Sequence, residues 1–181
     1  GHISVFSLDG VFLYRIGRDN ANAEQNLNEP TQVKIDKQER VYVLDSAEMG
    51  SVHIFTQAGE RLKTITAAQL HTTTGAKKIK LSAIAVNGQG QLFIADKVSG
   101  KILQYDWHSD KVKRVFGSSG KGPGQYRNTT AIAASDDFKI AVADSGNKKV
   151  DVYQLPKENW NKEPPAPYAS IRFAGLTPLQ C

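Results

Sequence analysis

Arg40-Val41-Tyr42-Val43-Leu44-Asp45-Ser46, leading to Val52-His53-Ile54-Phe55, is a phrase this chain repeats. Gln91-Leu92-Phe93-Ile94-Ala95-Asp96 leads to Lys101-Ile102-Leu103-Gln104-Tyr105. Lys139-Ile140-Ala141-Val142-Ala143-Asp144-Ser145 leads to Lys149-Val150-Asp151-Val152-Tyr153. The three aspartates lie 51 and then 48 residues apart. Self-similarity at such a period marks stacked supersecondary units, none of which can bury its apolar face alone. It also bounds function, because a repeat of this kind is first a scaffold.

Working outward from the aspartates, each unit resolves into four short strands. In the second unit, residues 82–86 form a run of small apolar residues suited to a crowded inner strand. Asn87-Gly88-Gln89-Gly90 carries the glycines of a tight hairpin, and residues 92–95 are apolar on both faces, as a doubly covered strand must be. Residues 102–105 follow, and residues 111–116 alternate like a half-exposed outer strand. The first unit reads as 31–35, 41–44, 52–55 and 61–65, and the third as 130–134, 140–143, 150–153 and 169–173. Helical periodicity is poor, and only residues 67–74 offer a helical turn. Four strands in every 40–50 residues, roughly, is the mark of β-propeller blades in an all-β protein.

The ends of the chain have a phase. Ile3-Ser4-Val5-Phe6 matches Val52-His53-Ile54-Phe55, residues 11–16 match an outermost strand, and Gly17 aligns with Gly117. Gly175-Leu176-Thr177-Pro178 is similar to the lead-in Leu27-Asn28-Glu29-Pro30. The expected division is therefore the outer strands of one blade (1–16), three four-stranded blades (17–66, 67–116 and 117–174) and the start of another (175–181). The expectation is a segment of a larger, about six-bladed ring.

Two stretches are distinctive: Phe116-Gly117-Ser118-Ser119-Gly120-Lys121-Gly122-Pro123-Gly124-Gln125-Tyr126 and Ala143-Asp144-Ser145-Gly146-Asn147-Lys148-Lys149-Val150. Together they resemble the NHL repeat, whose unit runs from a Gly-rich lead-in ending in Gly-Gln-Phe, through an inner strand, to an Asp-Ser-Gly-Asn turn and a strand opening on a basic residue. The third unit matches best. The first keeps Gly17, Pro30 and Asp45-Ser46 but has Ala47-Glu48-Met49-Gly50-Ser51 at the turn, and the second keeps mainly Asp96 and its strands. The resemblance covers nearly all of the chain. It implies an NHL-like propeller, a fold that serves protein binding, RNA reading and, occasionally, lyase or lactonase chemistry, so function must come from the site. Divergent blades without paired cysteines resemble propellers of bacterial envelope or secreted proteins, which places an extracytoplasmic setting ahead of a cytoplasmic one.

Composition removes some classes. In 181 residues, 40% are hydrophobic and 23% charged, which fits a globular domain with a real core. No run of about 18 apolar residues is present to form a helical membrane span. The single cysteine, Cys181, precludes an intrachain disulfide or a Cys-rich zinc site. A net charge of +5 permits acidic partners without demanding them.

Among candidate sites, Asp45, Asp96 and Asp144 invite a metal or catalytic reading, but an aspartate closing a strand in every unit is better explained as a turn cap. The loop from Gly117 to Gly124 is no P-loop, since Gly122 follows Lys121 where Ser or Thr is needed, and reads as a flexible connection. His53, His71 and His108 lack metal-site spacing, and no G-x-S-x-G motif is present, so no catalytic residue or cofactor is assigned. Lys77, Lys78, Lys121 and Arg127 enter first strands and would share one end of the propeller. With Tyr126 they could make a basic, aromatic face. Further basic residues are Lys80, the outer-strand group Lys111, Lys113 and Arg114, and the turn pair Lys148 and Lys149. Trp160, in the proline-stiffened insertion 156–167, either tucks locally or anchors a partner.

The expectation is a non-enzymatic interaction scaffold. It would bind a protein partner, or another part of its own assembly, through the loops 18–29, 67–80 and 117–128. An RNA reader using the basic face and a fragment of a metal-dependent lyase or lactonase are the alternatives.

Overall fold

The structure, a computed structural model, describes residues 1–18, 26–74, 77–156 and 166–173. Strands β1 (Ile3–Phe6) and β2 (Phe12–Ile16) pair antiparallel. The first full sheet holds β3 (Pro30–Ile35), β4 (Val41–Asp45), β5 (Ser51–Phe55) and β6 (Arg61–Thr66). Helix α1 (Ala67–Thr74) leads to the second sheet of β7 (Leu81–Val86), β8 (Leu92–Asp96), β9 (Lys101–Asp106) and β10 (Lys111–Phe116). Two short strands, β11 (Ser118–Ser119) and β12 (Gln125–Tyr126), pair parallel inside the next lead-in. The third sheet contains β13 (Thr129–Ala134), β14 (Lys139–Asp144), β15 (Lys149–Gln154) and β16 (Ala169–Arg172). In each four-stranded sheet every strand lies beside its chain neighbour.

Burial follows from stacking sheet on sheet. Every residue of β4 and of β8 is buried, because each of these second strands is covered on both faces. Side chains alternate across the strand. Val41 and Val43 of β4 therefore pack with Ile16 and Phe55 toward the β1–β2 pair, while Tyr42 and Leu44 pack with Leu81 and Ile84 toward the second sheet. Phe93 and Ile102 meet Tyr126, Ile140 and Tyr153 between the second and third sheets. Leu70 of α1 is fully buried in the same layer as Ile65 and Ile79. The helix thus plugs the gap between two sheets, and its two apolar anchors, Ala67 and Leu70, suffice where helical periodicity is weak.

Among the described residues, strand β1 pairs only with β2. Beside it runs an apolar cleft of about 430 Å³ lined by Ile3, Val5, Tyr14, Val33 and Ile35. The expected insertion residue Trp160 and the expected start of a further blade at 175–181 lie outside the described residues.

Candidate interaction surface

One aspartate in each full sheet ties the sheet's lead-in to the turn after its second strand. Asp45 Oδ2 accepts the Asn28 N–H (2.6 Å), and its Oδ1 accepts those of Glu29 (2.9 Å) and Ala47 (3.1 Å). Asp96 accepts from the Lys80, Val98 and Ser99 amides and from the Ser99 hydroxyl. Asp144 accepts from the Arg127, Asn128 and Gly146 amides and from Asn147 Nδ2. The residue after each aspartate repeats one further bond: the N–H groups of Ser46, Lys97 and Ser145 donate to the carbonyls of Glu29, Lys80 and Asn128. Burial alone would raise the Asp45 carboxyl, but its three backbone donors prevail and hold it below the ordinary carboxylate range.

Neighbouring sheets meet at the same end. The Leu81 N–H of the second sheet donates to the Met49 carbonyl of the first. Gly100 has φ 68°, and a Cβ there would lie 2.5 Å from the Ser118 carbonyl oxygen, so no larger residue fits this turn without moving backbone.

The Gly117–Gly124 loop of the 117–128 lead-in, expected to be a flexible connection, is held at several points. Gln125 Oε1 accepts the Lys121 and Gly122 amides, and Asn147 Nδ2 donates to the Gly120 carbonyl. Lys149, grouped with the exposed basic turn on sequence grounds, is buried. Its Nζ donates to the Gly122 carbonyl (2.7 Å) and to Asp151 Oδ2 (2.5 Å), and stands 4.9 Å from the centre of the Tyr126 ring. Asp151 also accepts from the Gly124 amide and the Ser170 hydroxyl. Burial pushes the Asp151 carboxyl up, and the Lys149, Ser170 and Gly124 bonds more than reverse this. Glycines alone suggested mobility, yet side chains from β15 and its preceding turn supply the partners.

Tyr126 must be corrected as a surface residue. It is 1% exposed, and its hydroxyl hydrogen-bonds that of Tyr153 inside the core. An aromatic beside a glycine loop looked like a stacking platform, but its position opposite Phe116 and Tyr153 makes it a filler between sheets.

Lys77, Lys78, Lys121 and Arg127 are exposed. None of their side chains forms an ion pair among the described residues. Arg127 and Lys80 border the aspartate clasps through their own backbone amides. At the opposite, hairpin end, Lys37, Lys63, Lys113 and Lys139 are matched by Asp136, Asp110, Asp106 and Asp137. The lead-in end therefore presents unneutralised cations on loops fixed to a rigid frame.

His53, on β5, is 7% exposed, bonded to Ser51 and Thr64, and 4.0 Å from Asp45. Burial, and then the nearby Arg61 guanidinium, lower its imidazole to about 4, with Asp45 pulling weakly the other way. An unfolded histidine titrates near ~6.5, so the unfolded chain takes up the proton first. The stability His53 contributes is full above that value and is lost as pH falls toward the folded value. With solvent screening allowed for, the loss should be about 2 kcal/mol. Urea unfolding at pH 7 and pH 4 should show it, and His53→Gln should remove this part of the pH dependence. An unchanged pH profile in the variant would assign the acid loss elsewhere.

Among the described residues, no group of three or more His, Cys, Asp or Glu side chains converges as a metal site. No protein-family model matches the chain, and no curated protein matches its sequence. Solved structures do match. U3-55K aligns with a TM-score of 0.62 at 16% identity, over 87% of this chain and 44% of that one. Virginiamycin B lyase from Staphylococcus aureus aligns with a TM-score of 0.61 at 10% identity, over 97% and 50%. The WD40 repeats of RRP9 align with a TM-score of 0.58 at 12% identity, over 80% and 39%. The fold is a β-propeller. Identities this low make the likeness one of fold alone, and the chain spans between 39% and 50% of the lengths of these propellers. Its full sheets are propeller blades, with β3, β7 and β13 as their first strands.

Proposed function

We propose that this chain is a non-enzymatic, NHL-like scaffold that binds an acidic protein surface through its lead-in loops. The observation behind it is the asymmetry between the two ends of the blades among the described residues: Lys37, Lys63, Lys113 and Lys139 pair with aspartate at the hairpin end, where Lys111 stays unpaired, while Lys77, Lys78, Lys121 and Arg127 at the lead-in end are all unpaired. Complementary charge steers association and selects partners, and loops already held in place lose little freedom on binding. The burial of Tyr126 removes the aromatic expected among these cations as a stacking platform for a base, which supports a protein over single-stranded RNA.

A photo-crosslinking residue at Lys78, with one at Lys139 as the control at the other end, tests the reading in the native cell. Adducts to protein should form from position 78 and be lost on charge reversal of Lys121 and Arg127. Adducts to RNA, with affinity falling steeply as salt rises, would replace the protein reading by the RNA one. Adducts from position 139 alone would overturn both.

A further inference from the structure

The hairpin end of the middle blade carries a departure from the repeat. In the ladders between second and third strands, Gln104 faces Phe93 where Ile54 faces Tyr42 in the preceding blade and Val152 faces Ala141 in the following one. Ile54 is fully buried in the core. Gln104 is 8% exposed, and its buried Oε1 has no hydrogen-bond partner. An unpartnered buried carbonyl destabilises a fold, and an aliphatic side chain at this position would avoid that.

Gln104 lines a cavity of about 230 Å³ shared with Gln89, Gln91, Asp106, Trp107 and Lys113. The walls are built in advance. Trp107 stacks on His108 with ring centres 3.8 Å apart, and Arg40 of the preceding blade lies over Trp107 at 5.1 Å. Asn87 Nδ2 donates to Gln91 Oε1 at 2.7 Å, which commits that carbonyl. Asp106 accepts the His108 and Ser109 amides and the Ser109 hydroxyl, and pairs with Lys113 at 3.3 Å.

We propose that this cavity is a binding site for a neutral, hydroxyl-rich ligand the size of one sugar ring, with the Gln104 carboxamide, whose unpartnered oxygen is sealed from solvent, turning to present that oxygen as the acceptor. Asp106 and Lys113 cancel each other, so a charged ligand would have to break their pair. Three carboxamides offer donors and acceptors side by side, which suits hydroxyl groups that both give and take a hydrogen bond. The volume corresponds to roughly eight waters at ~30 Å³ each, too little for a drug-sized molecule and enough for a single hexose. The site lies at the opposite end of the blade from the proposed protein-binding loops and is independent of them.

The test is NMR on the full chain, following the Gln side-chain amides and the Trp107 indole during titration with glucose, galactose, mannose and N-acetylglucosamine. At least one sugar should give a saturable shift centred on Gln104. Gln104→Leu, which copies the neighbouring blades, should raise Tm while weakening that sugar at least about tenfold. Gln89→Ala, at the exposed rim, should weaken it with Tm unchanged. No saturable shift with any sugar would mean that the cavity holds water alone, and the proposal falls. It falls equally if Gln104→Leu binds as well as the parent. Saturation by acetamide or N-acetylglutaminamide but by none of the sugars would make the pocket a reader of peptide carboxamides instead.

Discussion

Lys149→Met should cost about 3–5 kcal/mol of folding stability, because it leaves Asp151 charged and buried without its counter-ion. Both side chains are fully buried, and their 2.5 Å contact closes a network that includes the Gly122 carbonyl, the Gly124 amide and the Ser170 hydroxyl. Asp151→Leu should cost a similar amount by stranding the ammonium. The double variant should regain most of the loss, since two apolar groups replace an ion pair at little net cost in many buried settings. Urea unfolding of the four proteins gives the coupling directly. A Lys149→Met loss below about 1 kcal/mol would place the ammonium in water rather than in the blade. The double variant should still lose rigidity in the 117–128 loop, because Lys149 Nζ also holds Gly122. Amide hydrogen exchange at Gly122 and Gly124 would register that separately from global stability.

Asp144→Ala should cost about 3 kcal/mol. The carboxylate accepts from Arg127 N (3.1 Å), Asn128 N (2.9 Å), Gly146 N (3.1 Å) and Asn147 Nδ2 (2.6 Å). Hydrogen bonds to a charged group contribute about 1.5–3 kcal/mol each, and water can reclaim only part of this set. Asn at this position keeps one acceptor oxygen and should retain about half of the stability. Faster exchange at Arg127 and Asn128, with unchanged exchange in β7, would mark the loss as local to the clasp. Equal acceleration throughout would contradict a clasp and make Asp144 a determinant of the whole fold.

The repeat made the frame legible. Each expected strand is present with bounds shifted by a residue or two, since alternation and turn residues report strands well when both neighbours follow the same plan. The short helix was readable only as a turn, because its hold on the protein is two buried residues, Ala67 and Leu70, rather than an apolar stripe. The site was less legible. Tyr126 was misplaced because an aromatic in a glycine loop carries no sign of which side it faces. Lys149 was misplaced for the opposite reason: opposite charges two residues apart on a strand share a face, and Lys149, Asp151 and Tyr153 all turn inward while Val150 and Val152 are only partly covered. Gln104 was visible as a letter, but its meaning needed the ladders that set it level with Ile54 and Val152.

The consecutive strand order of the sheets bears on how the chain comes to be folded. Every strand of a full sheet pairs with a segment made just before or just after it, so loop-closure costs within a sheet are small. A nascent chain can therefore complete one sheet while the next is still being synthesised, and each finished sheet offers a template face to its successor. The aspartate clasp acts late in this order, because each waits for the second strand before it can draw the lead-in shut. Synthesis rate, more than any search through alternative topologies, would then pace assembly.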